Sequence, residues 1–303
     1  MTTFNLAHLS DPHLPPLPAA SWRELAGKRM LGYLNWTKNR HLIHRRDVLD
    51  VLMADLRAHR PDHIAITGDL VNLALAQEFA PARRWIERLG PPDRVSVVPG
   101  NHDAYVRGSA ERFAETFPDY MSGDARGNAV AFPFLRRRGP LAIIGVSSAV
   151  PTAPFMATGW LGEAQHAALA AMLAQLDGDP AFRVLLIHHP LRSRSHHKRL
   201  TDSPQLQALL KRHGVDLVLH GHDHLHSTTW IDGPVAPIPV VGVPSASAGA
   251  DGHRPAAAYN LFSILREGER WRCDHTIRGF GDAPGITQLQ AARLTPAAES
   301  SSL

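Results

Sequence analysis

Short apolar runs recur along the chain at 4–9, 62–67, 94–98, 141–146, 184–187, 215–219 and 239–243, and several are rich in β-branched residues. Each is too short for a helix and predicts a buried strand. Between several of them the pattern turns helical. Val48, Leu49, Leu52 and Leu56 share one face of a helix over 47–59. Segments 75–89 and 162–176 are rich in Ala and Leu, with their charges to one side. Ser203 and Pro204 suit an N-cap and a first-turn proline for a helix over 205–213. Strands alternating with helices predict an α/β fold. Beyond about residue 227 the helical patterns stop. Strand-like pieces at 228–231, 239–243, 259–265 and 271–277 predict a second sheet, antiparallel at least in part. Without a repeat or linker, residues 1–280 read as one domain and 281–303 as a C-terminal tail, partly disordered over 296–303.

Residues 14–46 fit neither pattern. Trp22, Leu25, Met30, Leu31, Tyr33, Leu34 and Trp36 interleave with Arg23, Lys28, Arg29, Lys38, Arg40, Arg45 and Arg46, against one acid, Glu24. This composition predicts one or two short, basic, amphipathic helices inserted after the first strand.

Composition narrows the class. The chain has 303 residues, 44% of them hydrophobic, which excludes wholesale disorder. A chain this long buries roughly three quarters of its unfolded surface and needs no metal or disulfide staple. Clustered metal ligands therefore predict catalysis rather than structure. The lone cysteine, Cys273, allows no internal disulfide and reads as a small residue on a late strand. No apolar run approaches the ~20 residues of a membrane span. The start of the chain lacks the basic and apolar regions of a signal peptide. A soluble, cytoplasmic protein is expected. Its net charge of +4 is mild for a nucleic-acid binder. The unusual count is 19 histidines, the commonest transition-metal ligand.

Polar groups cluster where the apolar runs end. Ser10-Asp11-Pro12-His13 follows the first and Gly68-Asp69 the second. Gly100-Asn101-His102-Asp103, His188-His189 and His220-Gly221-His222-Asp223-His224 follow three others. Ligands of open α/β sheets bind beyond the carboxyl ends of strands, so these clusters converge if the strands share a sheet. Imidazole and carboxylate donors without thiolates suit Zn, Mn or Fe. Asp11, His13, Asp69, Asn101, His188, His222 and His224 exceed one tetrahedral site and match two ions sharing a carboxylate. Alternate residues of an extended segment point the same way, which suits Asp11 with His13 and His222 with His224.

The ordered blocks Asp-x-His, Gly-Asp, Gly-Asn-His-Asp, His and Gly-His-x-His resemble the calcineurin-like metallophosphoesterases over about residues 4–245. The resemblance is to the bacterial phosphodiesterase-type branch. It implies a four-layer αββα sandwich of two mixed β-sheets with a dinuclear centre at one edge. It also implies that Asp11, His13 and His224 hold one ion, that Asn101, His188 and His222 hold the other, and that Asp69 bridges. His102 would contact the phosphoryl group and protonate the leaving oxygen, with Asp103 orienting it. A hydroxide between the ions would attack phosphorus in line. His41, His44, His59, His166, His213, His253 and His275 are expected to be surface or core residues. His189, His220 and His226 stay open.

The resemblance implies a reaction class, and the loops bear on substrate. The insertion at 14–46 and the basic run from Arg192 to Arg199 both follow metal motifs and should rim the site. Arg192 and Arg194, with Asn101 and His102, are the expected substrate contacts. The leading reading is a phosphodiesterase acting on a small phosphodiester or nucleotide. The alternative is a pyrophosphatase of nucleotide-linked, diacylated sugars, a lipid-linked phosphate substrate that would bring residues 22–46 to the inner face of the membrane. The insertion could equally be a helical lid packed by its tryptophans. A non-catalytic binding protein on the same fold is a third class, and it would be expected to lose metal ligands. Nucleic acid is not an expected partner, and a homo-oligomer through the late strands stays open.

Overall fold

The computed structural model describes residues 3–126, 130–250, 254–281 and 284–295. His253 and the expected disorder at 296–303 lie outside the described residues. The strands are β1 (Phe4–Leu9), β2 (His63–Ile66), β3 (Val95–Val97), β4 (Phe134–Arg138), β5 (Leu141–Gly145) and β6 (Phe182–Leu186). They continue with β7 (Leu217–His220), β8 (Ser227–Ile231), β9 (Ile238–Gly242), β10 (Ala258–Glu267), β11 (Arg270–Phe280) and β12 (Ile286–Arg293). The helices are α1 (Lys28–Asn35), α2 (His41–Ile43), α3 (Arg46–Ala58), α4 (Ala76–Leu89), α5 (Ser109–Thr116), α6 (Glu163–Gln175) and α7 (Ser203–His213). In α7 the cap position falls on Asp202 rather than Ser203.

The strands form two mixed sheets, ordered β12-β11-β10-β1-β2-β3 and β4-β5-β6-β7-β9-β8. Alternation along the central strands builds the layers. In the second sheet Ile143, Val184, Leu186, Leu217 and Leu219 face the first sheet and join its core. Their neighbours Ala142, Ile144, Leu185 and Val218 face Leu169 and Leu173 of α6 and Leu206 and Leu210 of α7. Leu49, Leu52 and Leu56 of α3, with Phe79 and Ile86 of α4, cover the first sheet. The result is an α/β sandwich of helix, sheet, sheet and helix. No helix of the described residues is long and apolar enough to cross a membrane.

The late strands do not make a sheet of their own. β8 and β9 join the second sheet, whereas β10, β11 and β12 extend the first, β10 running antiparallel to β1. The reason lies in β1, which is buried on both faces and needs ladder partners on both edges. Within the expected tail, residues 286–293 pair along β11 from Asp274↔Arg293 to Phe280↔Ile286. Their side chains are mostly exposed, so this edge strand carries little apolar alternation. β4 is hidden in sequence for a different reason. Its Phe-Leu-Arg-Arg-Arg run looks charged, yet Arg136 is buried and donates to the carbonyls of Pro92, Val95, Asp119 and Ser122.

Candidate metal centre

β1, β2 and β3 run parallel in one sheet, and β6 and β7 run parallel in the other. The loops that leave their carboxyl ends are stitched together. Asp11 N donates to the Gly68 carbonyl at 2.9 Å, His13 N to Asp69 O at 3.0 Å, and Gly221 N to His188 O at 3.1 Å. Two glycines permit this closeness. A Cβ on Gly100 would overlap the Asp69 carboxylate, and one on Gly221 would overlap Ser10 Oγ and Asp11 Oδ2. Asp11, His13, Asp69, His222 and His224 adopt φ of 53°, 36°, 56°, 70° and 56°. Left-handed backbone costs a non-glycine residue about 1–2 kcal/mol. Such strain persists only where surroundings fix it, as at functional sites.

The seven side chains meet as a cluster of acceptors. His13 Nδ1 donates to Val71 O, which leaves Nε2 unprotonated in the neutral ring. That Nε2 is buried without a hydrogen-bond partner, 3.9 Å from Asp11 Oδ1 and 3.7 Å from Asp69 Oδ2. His188 Nδ1 donates to Thr67 O at 2.6 Å. Its Nε2 faces Asn101 Oδ1 at 3.1 Å and Asp69 Oδ2 at 3.5 Å. His224 Nε2 lies 3.1 Å from Asp11 Oδ1, and His222 Nδ1 lies 3.2 Å from His188 Nε2. The lone pairs of His13 Nε2 and His188 Nε2 thus face carboxylate and carboxamide oxygens in a buried space, an arrangement that fits cations. Asp11, His13 and His224 form one set whose ligand atoms lie within 4.8 Å of one another, and Asp11, Asp69 and His188 form another. A third set joins His13, Asp69 and His102, and Asp69 Oδ2 lies 3.7 Å from His13 Nε2 and 3.5 Å from His188 Nε2.

Electrostatics agree with that reading. Burial, then the Asp11 carboxylate, pushes the Asp69 carboxyl well above its usual range. Burial also opposes ionisation of Asp11, but His224, His188 and the Ser10 hydrogen bond together outweigh it and hold that carboxyl low. His13 and His222 are driven well below ordinary histidine values, chiefly by burial, so both stay neutral and ligand-competent.

Several roles differ from expectation. Asp103 does not orient His102. Its carboxylate accepts from the backbone N–H groups of Asp69, Leu70, Val71 and Gly100 at 2.7–3.1 Å, which ties the second and third motif loops together. His102 is oriented by Asn72, whose carbonyl accepts from His102 Nδ1 at 2.5 Å. Glu78 holds the Asn72 loop in turn, accepting from the N–H groups of Asn72, Leu73 and Leu75. His189 has both ring nitrogens engaged, with Ser148 Oγ at 2.7 Å and Ala157 O at 3.2 Å, and packs beside His222. Arg192 and Arg194 are exposed, and Arg192 lines a separate cleft with Pro190 and Gln207. The cation of that loop that lines the metal-site cavity is Lys198.

The insertion forms a wall of this cavity, whose volume is about 650 Å3. α1 leads into a π-helical turn at Trp36–Arg40 and then α2. Asn35, Asn39, Arg40, Ile43 and His44 face the cavity. His44, expected to be structural, is buried with its ring 4.5 Å from that of His13, and its Nδ1 is 2.9 Å from Ser247 Oγ. Arg40 and His44 lie outside the motif blocks. Their only sequence signal was membership of a basic insertion beside a metal motif.

The profile of one family, described as calcineurin-like phosphoesterase, matches residues 4–226. The chain belongs to the calcineurin-like phosphoesterases. This phosphoesterase shares its fold with a dimetal phosphatase from Danio rerio, at a TM-score of 0.62 and 12% identity, over 96% of this chain and 98% of that one. A purple acid phosphatase from yellow lupin (Lupinus luteus) seeds aligns at 0.61 and 13%, over 95% of this chain and 53% of that one. An NAD nucleotidase from Haemophilus influenzae aligns at 0.51 and 11%, over 96% and 50%. At these identities the likeness is one of fold. No curated protein matches the sequence.

Proposed function

We propose that the protein is a two-metal phosphoester hydrolase that prefers phosphodiesters. The observation that carries this reading is the convergence of buried acceptors, above all His13 Nε2, partnerless between the Asp11 and Asp69 carboxylates. Asp11, His13 and His224 would hold one ion, Asn101, His188 and His222 the other, and Asp69 both. Mn, Fe and Zn all suit such donors. Bound there, the ions supply an activated water for attack at phosphorus and offset charge on the phosphoryl oxygens. The rest falls to the chain. His102, pinned through Nδ1 to Asn72, has an unprotonated Nε2 in its neutral ring, the form that burial and the neighbouring Arg40 cation favour. It would therefore position Arg40 rather than protonate the leaving oxygen. Arg40 and Lys198 give the cavity the charge to draw an anionic substrate. The names of the Danio rerio and lupin neighbours lend support to a phosphoester substrate.

A second reading is a lipid-linked nucleotide pyrophosphatase. It is favoured by the outer face of the insertion, where Trp22, Leu31, Leu34 and Leu42 are exposed. Hydrolysis of bis(p-nitrophenyl) phosphate beside p-nitrophenyl phosphate, after chelation and with Mn added back, separates the readings. Metal-dependent turnover favouring the diester is expected. A preference for the monoester would overturn the diester assignment. If neither ester turns over while a diacylated sugar nucleotide in vesicles is cleaved, the second reading replaces the first.

A further inference from the structure

Arg40 is the point at which the insertion enters the cavity. Its Nη1 lies 2.9 Å from His102 Nε2 and its Nη2 lies 3.5 Å from His44 Nε2. His102 Nδ1 is spent on the Asn72 carbonyl, so His102 Nε2 accepts from the guanidinium. Among the described residues Arg40 hydrogen bonds only to these two histidines. A guanidinium has five N–H donors in a planar fork. The histidines hold two of them, and the others have no acceptor among the described residues.

The charge around Arg40 is equally unfinished. Among the described residues, Asp69 and Asp11 are the carboxylates whose field favours the charged guanidinium, and the Arg254 cation opposes it. Both carboxylates belong to the candidate ligand set, so bound cations would cancel the charge that compensates Arg40. An anion in the cavity would restore it. Placement also favours a fixed fork over a roaming one. Arg40 ends the π-helical turn, and Trp36 begins it, buried with its ring parallel to His44 at 6.2 Å. Single π turns are frequent at functional sites.

We propose that Arg40 is the oxyanion clamp of this cavity, its free donors holding non-bridging oxygens of the substrate's phosphoryl group. The two histidines then serve to hold the fork in register before substrate arrives, which reduces the ordering lost on binding. This inference rests on the phosphoester-hydrolase reading, and it assigns to the insertion a direct part in substrate recognition.

Inorganic phosphate is the probe. Its binding to Mn-loaded protein is measured by isothermal titration calorimetry and by competitive inhibition of bis(p-nitrophenyl) phosphate hydrolysis. Arg40→Gln is expected to weaken phosphate binding about 10- to 100-fold, the worth of a hydrogen-bonded charge. It should still carry two metal ions per chain and unfold near the wild-type temperature. Arg40→Lys is expected to recover part of the loss, since it keeps the charge without the fork. If Arg40→Gln fails to fold, Arg40→Lys alone must still bind phosphate more weakly than wild type. Wild-type affinity in both variants, or no phosphate binding by the wild type, overturns the clamp. The two readings fail separately. Turnover with phosphate binding independent of Arg40 sinks the clamp and spares the hydrolase. Arg40-dependent phosphate binding without turnover of any phosphoester does the reverse.

Discussion

Asp103 shows how a residue can govern this site without touching it. Its carboxylate is buried and accepts four backbone N–H groups from the loops that carry Asp69 and Asn101. Burial raises its pKa, and those hydrogen bonds offset part of the cost. Removing the acceptor would orphan four buried donors, each costing about 1–3 kcal/mol. Asp103→Ala is therefore expected to lower the unfolding temperature and to weaken metal binding roughly 10- to 100-fold, the usual range for groups that orient ligands. Titration of the chelated variant with Mn checks this; wild-type affinity would refute the positioning role. In sequence Asp103 sits beside His102 and invites a direct pairing. The tight turn at Gly100 instead sends it back onto its own loop and across to the next. The seven donors were legible because each follows an apolar strand. Arg40 and His44 were not, because their approach to the site depends on how the insertion folds back.

The insertion is the element that walls the metal-site cavity. α1 lies against the site through Gly32, where a Cβ would come within 2.5 Å of Leu73 Cδ2 and of Tyr105 Oη. Tyr105 stacks on His102 with ring centroids 5.3 Å apart, and Lys28 Nζ sits 4.5 Å from the Tyr105 ring. The path from Gly32 to His102 is thus two contacts long. Gly32→Val should lift α1, loosen Tyr105 and displace Arg40 from the cavity. The expected result is a roughly 10- to 100-fold fall in kcat/KM for a diester, as sub-ångström to ångström misplacements produce. Metal content should hold, because no proposed ligand lies on α1. Equal losses of metal and turnover would make the insertion a general scaffold instead. The basic, amphipathic character of this segment was readable from its composition. Its division into a packed face, with Leu25 and Trp36 buried, and an exposed face, with Trp22 and Leu42, was not. Trp36 begins a π turn that no periodicity announces.

At the scale of the molecule, two sheets bring their parallel carboxyl ends to one edge, and the motif loops of both meet there. The central parallel strands were visible as apolar runs because both of their faces are buried. Two of the four edge strands were not, although β3 and β8 were: β4 hides a buried arginine in a charged run, and β12 is mostly solvent-exposed. The architecture's central claim is that two cations share Asp69. The most direct test is elemental analysis of protein that has been stripped by chelation, reloaded with Mn and freed of excess metal, with phosphodiester turnover measured on the same sample. Wild-type protein is expected to carry two ions per chain with activity restored in step, and Asp69→Ala fewer than two ions with turnover down on the order of 10³-fold. Full activity with a single ion, or an Asp69→Ala protein that keeps both ions and its rate, would contradict the sharing of Asp69.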